Sequence, residues 1–406
     1  MRLLILTDVH VLKAHGKYWA KDPWLKVAGH LRPFFSSVTV CAPLIAPGDS
    51  SKEYFDVKRA TEVADANGPS VRWVHTHPHY TVMNYYKSLP FLLKKNFPVL
   101  AEAIRDCDLV FMRLPAMNGF VASILAYQYG RPIFGYFSGD QLVEIRSGGK
   151  YRGLQAIAAR AIARLHEYLH SKLIRFSEAS FFEAAESLGR FRNIGDKCCF
   201  LFPSTVETHE ISERTGSKRD KPSRKLLFVG RLSPEKGIIY LLQALKLLVL
   251  GDLSFRLTIC GTGPERASLE SLAAQLEVNR HIEFLGHVPW GPDLHRVYRD
   301  HDVFVLPSLS EGVPKVVLEA MANGLPVIST NLGGMKQIIT DGENGILVQA
   351  ASGKAICDAV TRLTADATTR ERLIERGYGF IREHTADRQA EKIARAMISR
   401  VRPNLP

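Results

Sequence analysis

Short, uninterrupted apolar runs recur along the whole chain, with longer stretches of helical spacing between many of them. In the first half the runs are Leu3–Thr7, Val38–Ala42, Val71–Val74, Leu109–Met112, Ile133–Phe137, Leu173–Phe176 and Cys199–Phe202. Helical spacing predicts helices over Gly153–His170 and Ser180–Gly189. A run without polar alternation suits a strand covered on both faces, as in a parallel sheet. Strands of this kind alternating with helices leave a doubly wound α/β domain as the expected fold. At 406 residues the chain is too long for one compact core, so two domains are expected.

The division is visible in composition. Residues 215–225, TGSKRDKPSRK, are polar and basic with one proline, which is the composition of an interdomain linker. After them the alternation restarts. Leu226–Val229, Arg256–Cys260, Ile282–Leu285, Val303–Leu306, Val327–Thr330 and Ile346–Val348 are predicted strands. Ile238–Leu250, Pro264–Val278, Pro292–Arg299, Pro314–Ala322 and Ala355–Leu363 are predicted helices. The expected organisation is an N-terminal α/β domain over 1–215, a linker over 216–225, a second α/β domain over 226–380 and a C-terminal helical segment over 381–406. Two such domains joined by one linker are expected to face a ligand cleft.

Hydrophobic content of 46% and charged content of 23% are those of a soluble globular protein. No run of eighteen apolar residues appears, so no transmembrane helix is expected. The first residues, MRLLILTDVH, read as a strand and not as a secretory signal. Cys41, Cys107, Cys198, Cys199, Cys260 and Cys357 show neither metal-ligand spacing nor a dense disulfide framework, and a reducing, cytoplasmic compartment is expected. The net charge is +12, and residues 1–220 carry +8 of it. That imbalance favours an anionic partner for the first domain, a phosphorylated or lipid-linked substrate or a membrane surface. Nucleic acid is not expected, because no binding motif accompanies the charge.

Chemistry concentrates in the second half. Val229–Gly237, VGRLSPEKG, places Arg231 and Lys236 around a turn at the end of a strand, after Gly230. Arginine offers forked donors and lysine a mobile point charge, so together they suit a phosphate. Each charge-assisted bond contributes roughly 1.5–3 kcal/mol. The same turn also suits plain helix capping. Gly261–Glu265, GTGPE, follows the next strand, and its glycines allow close backbone approach to a ligand. Leu285–Val288, LGHV, closes the third strand in the same way. Val305–Thr330 runs strand, turn, helix and strand, with Glu311 and Glu319 bracketing the helix entry. Pro314 suits the first helical position, and the helix start offers free N–H groups and a positive dipole end. Lys315 opposes that dipole, and a bound phosphate reconciles the two.

In this order the turns GRLxPEKG, GxGPE, LGxV, EGxPxxxxE and NLGG…DGENGILV closely resemble those of the retaining nucleotide-sugar glycosyltransferases known as family 4, built on the two-domain GT-B fold. The resemblance is specific from Lys225 to about Ala350 and looser elsewhere. It implies that Arg231 and Lys236 hold the diphosphate of the sugar donor and that Glu311 meets the transferred sugar. It implies that Glu319 meets the ribose. Gly312, Val313, Pro314, Lys315 and Val316 would line the phosphates and sugar, largely through backbone amides. His287 and Val288 would line the nucleobase, and the C-terminal helix would cross back to the first domain. No cofactor or metal is implied, because the leaving diphosphate is held by cations and a helix start. No protein nucleophile is implied either, since in retaining members the departing phosphate helps take the acceptor's proton.

The chain departs from the family pattern in three places. The first-domain loop from His10 to Lys17 has only Gly16 where a glycine pair is usual. Tyr136–Asp140 has no histidine, so Gly139 and Asp140 stand at the equivalent turn. Gln337 replaces an acidic residue after Gly333 and Gly334. Separately, His75, His77 and His79 alternate, but Pro78 interrupts them and no acidic or cysteine partner lies nearby, so no metal site is expected. The expected activity is transfer of a sugar from a nucleoside diphosphate sugar to a hydroxyl of a glycan, lipid-linked or anionic acceptor. The alternatives are a nucleotide-sugar isomerase or epimerase on the same fold, or a non-catalytic nucleotide-sugar-binding protein.

Overall fold

The computed structural model describes residues 1–14, 16–20, 23–45, 61–65, 71–78, 88–114, 116, 118–138, 154–183, 185–191, 197–212, 224–252 and 254–401. The chain divides into two units, Met1–Phe202 with Gln389–Pro406, and Pro203–Arg388. Most of the expected linker, residues 213–223, lies outside the described residues. The change of unit falls earlier, at Phe202–Pro203. The cause is local bonding: Ser212 N–H donates to Ala322 O at 2.9 Å, and the Tyr378 hydroxyl donates to Ser212 O at 2.7 Å.

Unit 1 is built on β1 (Arg2–Leu6), β2 (Val11–Ala14), β3 (Lys17–Ala20), β4 (Ser37–Ile45), β5 (Thr61–Asp65), β6 (Arg72–Thr76), β7 (Leu109–Leu114), β8 (Ile133–Phe137), β9 (Ala179–Phe182) and β10 (Cys198–Phe200). Its helices are α1 (Val27–Leu31), α2 (Leu89–Arg105), α3 (Gly119–Gln128), α4 (Leu154–Phe176) and α5 (Ala185–Phe191). The strand order is β10-β9-β8-β7-β1-β4-β2-β3-β5, with β6 on β4. Pairing is parallel except for β2–β3 and β3–β5. Successive residues of β1 point into different cores, as the unbroken apolar run requires. Leu3 and Ile5 pack with Val40, Phe111 and Phe181, and with Ile393 and Met397 near the C-terminus. Leu4 and Leu6 pack with Leu100 and Ile104 of α2, Leu125 of α3 and Ile174 of α4.

Two expectations for this unit are corrected. Leu173–Phe176 is the last turn of α4 and not a strand: Leu173 and Ile174 are buried while Arg175 and Phe176 are exposed, a helical alternation. The strand lies at Ala179–Phe182, overlapping the start of the segment expected to be helical, Ser180–Gly189, and all four of its residues are buried. The first-domain loop expected from His10 to Lys17 contains β2 and the turn into its antiparallel partner β3. Gly16 sits in that turn with φ +74°, a conformation that favours glycine.

Unit 2 carries a six-stranded sheet, all parallel, in the order β13-β12-β11-β14-β15-β16. The strands are β11 (Lys225–Val229), β12 (Arg256–Cys260), β13 (Ile282–Gly286), β14 (Val303–Leu306), β15 (Val327–Thr330) and β16 (Ile346–Val348). The helices are α6 (Ile238–Gly251), α7 (Arg266–Gln275), α8 (Pro292–Arg299), α9 (Lys315–Ala322), α10 (Gly353–Ala365) and α11 (Ala367–Arg382). The last helix, α12 (Ala386–Val401), passes from unit 2 into unit 1 at Gln389. The expected α/β class and parallel sheets are borne out in both units. The order reverses direction at β11 and β14, and the carboxyl ends of strands at such a point are where open α/β sheets bind ligands.

Candidate functional site

The turns that follow β11, β12, β13 and β14 are joined edge to edge by main-chain bonds. Gly261 N–H donates to Gly286 O at 2.7 Å, Gly230 N–H to Cys260 O at 2.9 Å, Leu232 N–H to Thr262 O at 3.0 Å, and Leu309 N–H to Glu235 O at 2.7 Å. This brings Arg231, Lys236, Gly261 and Glu311 to one end of the sheet although the sequence spreads them over 80 residues. A Cβ on Gly261 would lie 1.8 Å from Gly230 O, so these two turns approach backbone to backbone and side chains are excluded there. Gly334, after β15, holds the Glu311–Gly312 turn in the same way: a Cβ there would lie 1.5 Å from Gly312 O.

Lys236 Nζ and Glu311 Oε1 form an ion pair, with side-chain exposures of 20% and 10%. Ser308 Oγ donates to the same carboxylate oxygen at 2.8 Å, and Thr330 Oγ1 anchors Ser308 by donating to its carbonyl at 2.6 Å. An ammonium has three N–H donors, so a lysine in this position can hold a carboxylate and an incoming phosphate together. Arg231, five residues before Lys236, is exposed.

Helix α9 begins at Lys315, with Pro314 as its N-cap at φ −77° and ψ 118°. This corrects the expected placement of Pro314 at the first helical position by one residue: its extended ψ keeps it outside the helix. Gly312 is exposed, Val313, Lys315 and Val316 are half-buried, and Pro314 is buried. Glu319 is one turn further on and buried at 6% exposure. Burial pushes its carboxyl pKa up, and donors from Tyr298 and Thr205, with Lys315 and His295 nearby, offset part of that. Tyr298 donates to Oε2 at 2.8 Å and Thr205 to Oε1 at 3.0 Å. Carboxylate oxygens carry two lone pairs each, so both retain acceptor capacity for further hydroxyls. His287 is exposed and Val288 half-buried after β13, where the Val288 main chain bonds the Cys260 thiol.

Thr205, Tyr298, Ser308 and Thr330 were not singled out from the sequence. Thr205 lies 114 positions from the carboxylate it binds, and no local spacing announces such a pair. Behind Glu319, Asn323 Nδ2 donates to Glu319 O at 2.9 Å and meets His295, whose Nε2 lies 3.7 Å from Glu210. The Glu210 carboxylate raises the His295 pKa. Gln337, in place of an acidic residue, has its Oε1 buried without a hydrogen-bond partner among the described residues. In unit 1, Gly16 is in the hairpin turn, while Gly139 and Asp140 lie outside the described residues. The Tyr136 hydroxyl of the same stretch donates to Glu183 at 2.6 Å. His75 meets the Tyr18 hydroxyl at 2.9 Å and His77 packs on Phe91, while His79 is outside the described residues.

Residues 210–380 match the sequence profile of the family described as glycosyl transferases group 1. The chain is 40% identical over 151 residues to an uncharacterised glycosyltransferase of Methanocaldococcus jannaschii, covering 37% of this chain and 38% of that one. It is 35% identical over 188 residues to a D-inositol 3-phosphate glycosyltransferase of Corynebacterium urealyticum, covering 44% and 43%. The chain thus spans about two fifths of these relatives. A GDP-mannose-dependent alpha-mannosyltransferase of Mycolicibacterium smegmatis is 28% identical over 90% of this chain and 89% of its own. Among solved structures, HepE of Anabaena in complex with UDP superposes with a TM-score of 0.65 at 16% identity, over 98% of this chain and 100% of its own. Sucrose-phosphate synthase of Thermosynechococcus elongatus gives 0.70 at 16% identity, over 98% and 99%. The chain therefore has the GT-B fold of these structures, and most of its second unit is similar to the group 1 glycosyl transferases.

Proposed function

We propose that the protein is a retaining glycosyltransferase of family 4 that moves a sugar from a nucleoside diphosphate sugar to an acceptor hydroxyl. The observation that carries the reading is the convergence of Arg231, the Lys236–Glu311 pair and the start of α9 at the carboxyl ends of β11 and β14. In the reaction the bond from the anomeric carbon to the phosphate oxygen breaks, and the bond to the acceptor oxygen forms on the same face. Negative charge grows on the leaving diphosphate, where Arg231, Lys236 and the main-chain N–H groups of Gly312, Val313, Lys315 and Val316 stabilise it. The departing phosphate oxygen takes the acceptor's proton. Glu311 receives the sugar hydroxyls, and Glu319 the ribose hydroxyls through the acceptor capacity left beside Tyr298 and Thr205. The surplus of +8 over residues 1–220 supports a polyanionic or lipid-linked acceptor and contact with a membrane surface.

Incubation with a panel of nucleoside diphosphate sugars, followed by mass spectrometry, tests this reading. Slow release of nucleoside diphosphate and free sugar from one donor is expected without acceptor. Interconversion of the sugar without release would replace the reading with an isomerase or epimerase. Binding with neither outcome, when acceptors are also supplied, would leave a binding protein.

A further inference from the structure

All the exposed large apolar side chains of unit 1 among the described residues lie on α2, α3 and α4, and none lies on α1 or α12. The densest part is the outer face of α3 and α4. The Phe120 ring stacks on His170 at 5.9 Å, and the Tyr127 ring meets Phe176 at 6.5 Å, so the two helices run side by side. Ile124 and Tyr127 of α3 are 61% and 77% exposed, and Tyr168 and Phe176 of α4 are 58% and 69% exposed. Ile157 and Leu165 extend the same stripe along α4, over about 28 Å from Ile157 to Phe176. Side chains of this size, exposed to this extent, sum to an apolar area on the order of 500 Å², the upper range for a surface without a partner.

The charges between them have one sign. Arg160, Arg164, Lys172 and Arg175 are exposed on the same face of α4, whose single acidic residue, Glu167, lies near Arg190. Helix α3 carries no charged residue. An apolar face interleaved with cations has the chemistry of a helix lying in the headgroup region of an anionic bilayer: apolar side chains enter the acyl boundary and lysine and arginine stay with the phosphates. A second copy of this chain is disfavoured as occupant, because a two-fold contact would set the cations of one face against those of the other. No described helix is long and apolar enough to cross a membrane, so the contact is a surface one.

We propose that the outer face of α3 and α4 docks the protein on an anionic lipid surface. This gives a place to the membrane contact supported by charge alone, and it is tested without any sugar donor, so it stands or falls separately from the transferase reading. The full chain is floated with phosphatidylcholine vesicles with and without phosphatidylglycerol. Binding is expected only to the anionic vesicles, weakening as salt rises. Arg164→Gln with Lys172→Gln should partition about thirtyfold more weakly. Tyr127→Ser with Phe176→Ser should also release the protein, with an unchanged melting temperature showing that the fold is kept. Absence of wild-type flotation, or variants that float as wild type does, would overturn the proposal. So would a dimer in solution that Tyr127→Ser with Phe176→Ser dissociates while vesicles are ignored, which would make the face a self-association surface.

Discussion

Lys236→Ala is expected to lower turnover by about a hundredfold or more. Removing one preorganised group aimed at developing charge costs about 10²–10³ in kcat. Lys236 also neutralises Glu311, which would be left with Ser308 as its remaining bonded partner among those described. Both members are largely buried, so the change also destabilises the fold, by about 1.5–3 kcal/mol. The two effects separate in a double-mutant cycle with Glu311→Gln. The neutral amide no longer needs a counterion, so the double variant should recover much of the melting temperature lost in Lys236→Ala while turnover stays low. Turnover recovering in step with stability would show that Lys236 acts only through folding.

Gly334→Ala should be nearly as damaging, although Gly334 carries no side chain to offer a ligand. The added Cβ would lie 1.5 Å from Gly312 O, 2.4 Å from Gly312 C and 2.9 Å from Glu311 O. All three neighbours are main chain, so no rotamer change relieves the clash and the Glu311–Val313 turn must move. Overpacking of this kind costs about 1–3 kcal/mol. A displacement of about 1 Å in a reacting geometry costs on the order of a hundredfold in rate. Gly379→Ala is the control, since a Cβ there meets nothing within 4 Å, and it should leave stability and turnover near wild type. Melting temperatures and kcat for both variants check this.

The fold of unit 2 was largely legible because its strands are covered on both faces and therefore read as continuous apolar runs. Arg256–Cys260, Val303–Leu306, Val327–Thr330 and Ile346–Val348 have the same bounds in sequence and structure. Unit 1 was less legible where that signal changes character. In β3 exposed Lys17 precedes buried Tyr18, the half-polar pattern of a hairpin, which resembles a loop in a search for unbroken runs. Leu173–Phe176 misled in the opposite sense, because an apolar helix end and a buried strand look alike over four residues. In the candidate site, turns with a local signature, such as Arg231 to Lys236, stood out as motifs. The ion pair from Lys236 to Glu311 and the donors from Thr205 and Tyr298 to Glu319 depend on which strands become neighbours, and the local sequence does not carry that information.

The proposed role of the turns at the carboxyl ends of β11 to β14 is to hold the diphosphate of a nucleotide sugar. Hydrogen exchange followed by mass spectrometry, on the full chain with and without saturating UDP or GDP, tests it most directly. Slower exchange is expected with at least one of them in peptides covering residues 230–237 and 311–319, with a loss of that protection in Arg231→Ala with Lys236→Ala. Protection confined to residues outside unit 2, or unchanged by the double substitution, would contradict it.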